Sequence, residues 1–155
     1  EYDLVAPGHK YNMPDVAAAM GLAQLPNADK HRSLRTSIAQ RYLDALSGID
    51  GLRCCGLRPD TVHAWHLFWI VLDEAAPITR NAFIDALQQR GVSCSVHYKP
   101  LHRMSYWQSR LNLDPADFPG AEAIWRGCLS LPVFPDLQPD EQQHVLEAIQ
   151  ASIGA

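Results

Sequence analysis

The stretch Val62 to Asp73, VHAWHLFWIVLD, sets aromatic and β-branched side chains in a row with neither Gly nor Pro. Such a run reads as a central strand, because a strand with neighbours on both edges and a covered face hides this much apolar surface. What flanks it has to supply the cover. TRNAFIDALQQRG follows, with Thr79 as N-cap, Phe83, Ile84 and Leu87 on one helical face, and Gly91 as the C′ stop.

Further along, VSCSVHY alternates as a second strand over Val92 to Tyr98, and KPLHRMSYWQSRLNLDPAD from Lys99 to Asp117 reads as a polar, aromatic loop. A helix from about Pro119 carries Ala121, Ile124, Trp125 and Cys128, and LSLPVF is short enough for one more strand, ended by Pro132 and Pro135. The closing QPDEQQHVLEAIQASIG starts with Pro139 at its first helical position and turns Val145, Leu146, Ile149 and Ile153 inward.

Before the strand, Pro14 opens a thin helix of small residues in which Val16, Ala19, Met20 and Ala23 recur at helical spacing. Pro26-Asn27 is expected to interrupt it, after which Leu34, Ile38, Tyr42, Leu46 and Ile49 trace an amphipathic stripe. Gly48 to Pro59 reads as a loop with at most a short strand. The order α-α-β-α-β-α-β-α predicts an α/β (α+β) two-layer sandwich, a small sheet with helices on one face.

The 155 residues, 47% hydrophobic and 19% charged, suit one domain with a real core. A net charge of −4 without a basic stripe argues against nucleic acid as a partner. No apolar run reaches the roughly 18 residues that cross a bilayer, and no leader opens the chain, so no membrane partner and a cytoplasmic location are expected. The cysteines Cys54, Cys55, Cys94 and Cys128 show no framework spacing and are expected to be reduced.

Several side chains invite a functional reading. His63, His66, His97 and His102 lack zinc-type spacing, so no metal is expected. Cys94 and Cys128 sit among apolar residues, a setting for inert thiols rather than nucleophiles. HYKPLH, His97 to His102, packs two imidazoles, a phenol and an ammonium into a strand exit; it reads equally as a functional loop or as a solvated turn around Pro100. Tyr106-Trp107 adds aromatic surface that suits a sugar or base. Asn12 precedes a helix N-terminus, where it can be a cap or can join backbone amides in holding an anion. The Ala/Gly face behind it lets another backbone come close.

PGHKYNMPDVAAAMGLAQL, HAWHLFWIVLDE, RGVSCSVHYKPLH with Tyr106, FPGAEAIWRGCLSLPVFP and PDEQQHVLEAI resemble, in order and spacing, the DegT/DnrJ/EryC1/StrS sugar aminotransferase family. Within it, GHKYNM and HAWHLF are most similar to the arabinose-type members that serve lipid A modification. The resemblance implies the C-terminal small domain of a fold-type I pyridoxal phosphate (PLP) transferase, a mostly antiparallel sheet preceded by a long interdomain helix. Residues 1–50 would form an interface segment and interdomain helices, and residues 51–155 the small domain. A large PLP-binding domain, with the Schiff-base lysine, would lie upstream; neither Lys10, Lys30 nor Lys99 matches that position, so no catalytic residue is expected here and the 155 residues alone are expected to be inactive.

The activity implied is transfer of an amino group from glutamate, giving 2-oxoglutarate, to a nucleotide-linked keto-sugar by a homodimer, for cell-surface polysaccharide or lipopolysaccharide. By position, Asn12 matches the residue that binds the cofactor phosphate in the partner subunit, and His97, Tyr98 and His102 match a substrate-binding loop at the active-site mouth. His9 and Pro14 depart from the family's usual Tyr and Thr or Ser. A PLP-dependent sugar dehydratase of the same family and a non-catalytic binding module are the alternatives.

Overall fold

The computed structural model describes residues 6–154. Residues 1–5, which open the expected interface segment, and Ala155 lie outside the described residues. The described chain forms α1 (Asp15–Gln24), α2 (Ala28–Leu46), β1 (Leu52–Cys54), β2 (Phe68–Leu72), α3 (Arg80–Gln89), α4 (Ser105–Leu111), α5 (Pro119–Gly127), β3 (Cys128–Leu131) and α6 (Pro139–Ile153). Short 3-10 turns join some of these at Leu25–Asn27, Leu101–Arg103 and Pro115–Asp117.

The sheet is three-stranded in the order β1-β2-β3, antiparallel throughout. Leu52 faces Leu72 across one edge of β2, and Phe68 faces Leu131 across the other. β2 is central as its composition requires, but it is shorter than the apolar run. Trp65, buried and in the left-handed region at φ +49°, turns the chain before the ladder starts. Its amide donates to His63 Nδ1 at 2.9 Å and its ring lies 5.7 Å from Phe68, so the aromatic run is spent on a buried corner rather than on more strand.

Alternate residues of β2, Phe68, Ile70 and Leu72, enter one core cluster with Tyr42 and Leu46 of α2, Phe83 and Leu87 of α3, and Val145 and Ile149 of α6. These helices form the layer that hides one face of the sheet. Directed bonds set their positions. Arg41 of α2 donates to Pro139 O at 2.9 Å and to Gln143 Oε1 at 2.7 Å, and buried Gln142 Nε2 donates to Ile38 O at 2.8 Å. Tyr42 donates its hydroxyl to Pro132 O at 3.1 Å, and burial raises its pKa well above the ordinary phenol range.

Local signals worked where they were read. Thr79 Oγ1 accepts from the Ala82 amide, Gly91 is left-handed at φ +77°, and Glu141 accepts from the Gln138 amide at 2.8 Å to open α6. Three further expectations were not met. Val92 to Tyr98 is not a strand: Ser95 alone pairs, exchanging amide bonds with Ser130 at 3.3 and 2.7 Å. The stretch Lys99 to Asp117 is not plain loop but contains α4. Cys128 starts β3 instead of ending α5, and at Gly127 the helix comes so close to β2 that a Cβ there would meet the Leu72 carbonyl.

Helix α1 stands apart. It has Pro14 as its N-cap, without a side-chain cap bond, and none of its residues is buried.

Candidate functional site

Past Ser95 the chain leaves the edge of β3, and His97 stays tied to it. Its Nδ1 lies 3.0 Å from Ser130 Oγ, which orients the ring at the rim of a cavity of about 730 Å3. His66, Ser93, Ser130, Glu141 and His144 join His97 in the lining. The floor is made by β3 and the segment after it, and one wall by the first turn of α6. His144 Nε2 donates to the Arg90 carbonyl at 2.7 Å, so its other nitrogen is left for solvent or a ligand.

His97 also borders a smaller hollow of about 300 Å3, shared with Tyr98, Pro100 and Trp125. Tyr98 is 75% exposed, with its ring edge-on to His97 at 4.8 Å between centroids. His97 and Tyr98 are therefore brought together at an open rim. His102 is not with them: it is 5% exposed, stacked on Phe118 at 4.5 Å, and its Nε2 lies 2.7 Å from Glu122 Oε1. Arg103 binds the same carboxylate through Nε and Nη2, each at 2.6 Å. The Arg103 and His102 hydrogen bonds pull the Glu122 carboxyl down to about 2.

Asn12 lies on the exposed segment before α1, apart from the residues that line either hollow. His9 stacks on Tyr11 beside it at 5.4 Å. No side chain caps the N-terminus of α1, so the amide of Asn12 is not spent as a cap. The cysteines are poor nucleophiles: burial pushes the Cys54 and Cys94 thiols up to about 11 and raises those of Cys55 and Cys128 as well. Among the described residues no group of three or more His, Cys, Asp or Glu is placed to hold a metal ion.

Reading the sequence singled out His97 and Tyr98 but missed His144, Ser130 and Glu122. Ser130 and Glu122 carry no local signal, since each acquires its role from a partner 33 or 20 residues away. His66 precedes β2 and lines the larger of these two hollows.

The fold is an α/β unit of the kind found in solved aminotransferases. The putative sugar aminotransferase Spr1654 of Streptococcus pneumoniae superposes with a TM-score of 0.85 at 28% identity, over 99% of this chain and 38% of that one. It is known in apo, PLP and PMP forms. The aminotransferase TlmJ of Streptoalloteichus hindustanus superposes with a TM-score of 0.81 at 30% identity, over 99% of this chain and 40% of that one.

In sequence, the spore coat polysaccharide biosynthesis protein SpsC of Bacillus subtilis is 38% identical over 96% of this chain and 39% of its own length. The model of the DegT/DnrJ/EryC1/StrS aminotransferase family matches residues 1–150, and the chain belongs to that family. It spans about two fifths of the length of the curated relatives it matches, 39% in each case.

Proposed function

We propose that these residues are the C-terminal part of a PLP-dependent aminotransferase that moves an amino group from glutamate to a nucleotide-linked keto-sugar. The observation that carries this reading is the family match over residues 1–150, joined to a backbone that follows solved aminotransferases over 99% of its length. The wording of GHKYNM and HAWHLF favours a product related to UDP-4-amino-4-deoxy-L-arabinose, in the assembly of cell-surface polysaccharide or lipopolysaccharide. A cytoplasmic enzyme fits the absence, among the described residues, of any helix long and apolar enough to cross a membrane.

The residues present fit the cofactor at its edge. Among the described residues the Asn12 amide has no hydrogen-bond partner, and it lies just before a helix N-terminus without a side-chain cap, a donor set suited to a phosphate. Its place on an exposed segment favours a phosphate held in the partner subunit of a homodimer. When bound, PLP supplies the electron sink for exchange of the amino group between the two substrates. The rest of this chain's work is positioning: Ser130 orients His97, and His97 and Tyr98 present an imidazole and a phenol to a polar substrate at the rim. His102 contributes from behind, by anchoring the loop that carries them. Residues 1–50 serve the interface and interdomain contacts, and residues 51–155 the small domain.

Lys10, Lys30 and Lys99 do not match the family's Schiff-base position, so the 155 residues alone are expected to be inactive. The test uses the complete protein. Glutamate alone should convert the absorbance of bound PLP to that of its amine form, and a panel of nucleotide keto-sugars should restore it. A complete protein with histidine instead of lysine at the upstream position, inert to glutamate, would be the dehydratase; one that binds no PLP would be the non-catalytic module.

A further inference from the structure

The excursion from His97 to Leu111 has little of its own to hold it. Tyr98 and Leu101 are exposed, and no residue of α4 is buried; Tyr106, Trp107 and Leu111 all face solvent. A short helix of this length is marginal by itself. Yet the turn between them, Leu101–Arg103, is anchored by one group. Glu122, on α5 and itself 5% exposed, takes His102 Nε2 and Arg103 Nε on Oε1 and Arg103 Nη2 on Oε2. Two consecutive residues on one carboxylate fix both the position and the rotation of the turn, which a single ion pair would not do. The Phe118 ring, parallel to His102 within 12°, closes the remaining side.

Resting on the aminotransferase reading above, we propose that Glu122 is a positioning residue for the sugar half of the reaction. Through His102 and Arg103 it holds the turn that sets Tyr98 on one side and the aromatic face of α4, Tyr106 and Trp107, on the other. Together these form the contact surface for the nucleotide-linked sugar. Glu122 lines neither of the hollows beside His97, so its removal weakens binding of the large substrate and leaves amino transfer from glutamate alone. Without the carboxylate, the Arg103 guanidinium and a buried imidazole lose their partner, and the turn must open to hydrate them.

The test compares Glu122→Gln with the parent in the complete enzyme by two readouts. Hydrogen exchange of amides 101–111 should quicken about tenfold or more, while peptides from α6 keep their protection. The KM for the nucleotide keto-sugar should rise about tenfold, with the single-turnover rate of the glutamate half-reaction unchanged. Glu122→Asp, which keeps the charge but draws the carboxylate back, should fall between the two. Unchanged exchange in 101–111, or faster exchange in every element, overturns the positioning role. Faster exchange with an unchanged KM overturns the assignment of that loop to the sugar. A parent enzyme that does not respond to glutamate sinks the aminotransferase reading instead, and the exchange comparison then still decides whether Glu122 holds the loop.

Discussion

Helices α1 and α6 both read from the sequence as apolar faces wound at helical spacing, and they end in opposite conditions. α6 buries Val145, Leu146, Ala148 and Ile149 and draws even Gln142 and Ser152 into the interior. α1 buries nothing, leaving Val16 75%, Met20 59% and Leu22 72% exposed. Apolarity is not what separates them, since α1 is the more apolar of the two. The sheet and α2, α3 surround α6, whereas α1 has no surface of the described chain laid against it. A contiguous apolar helix of this kind is the mark of a contact made elsewhere, which agrees with the interface proposed for residues 1–50.

The comparison breaks most severely at the core. Phe68→Ala should lower the stability of the 155-residue chain by about 3–5 kcal/mol, read from the denaturant midpoint, because Phe68 is fully enclosed between α2 and Trp65. A loss below about 1 kcal/mol would mean that the helical layer does not close on the sheet as described. Gly127→Ala comes next, at about 1–3 kcal/mol, since the new methyl would press α5 off the Leu72 backbone.

Acid should act through Glu122. Its folded-state pKa is depressed from 4.5 to about 2, so the stability it contributes is present above the unfolded value and is lost as pH falls from 4.5 towards 2. Glu122→Gln should therefore flatten the decline of stability across that window; an unaltered acid titration would remove the ion pair from the account. Smallest of all, Met20→Ala in α1 should change the stability of the 155-residue chain by less than about 0.5 kcal/mol. In the complete enzyme the same substitution should weaken subunit association, measured by analytical ultracentrifugation, and Asn12→Ala should speed loss of PLP on dialysis. Unchanged PLP retention would remove Asn12 from the phosphate site.

Much of the fold was legible because it depends on neighbours in the sequence. Helices α3, α5 and α6 announce themselves by their spacing, Thr79 by its place before a helix, and Gly91 by a backbone angle that other residues resist. Strands were harder. Val92 to Tyr98 alternates correctly yet pairs only at Ser95, and β1 was barely visible because three residues make a strand only when β2 lies beside them. The site divided in the same way. His97 and Tyr98 stood out as reactive side chains at a chain exit, whereas Ser130 and Glu122 looked ordinary until the fold laid them against His97 and His102.

By itself, then, the sequence determined the helical segments other than α4, which apolar run supplies the centre of the sheet, and the family to which the chain belongs, because period and residue spacing are local quantities. Tertiary structure alone decided where β2 begins, that α1 is left uncovered, and that His102 turns inward to Glu122 while His97 stays at the rim. Those outcomes depend on which surfaces and polar atoms meet across tens of residues. The energy of a buried hydrogen bond or a covered face exists only once its partner has arrived.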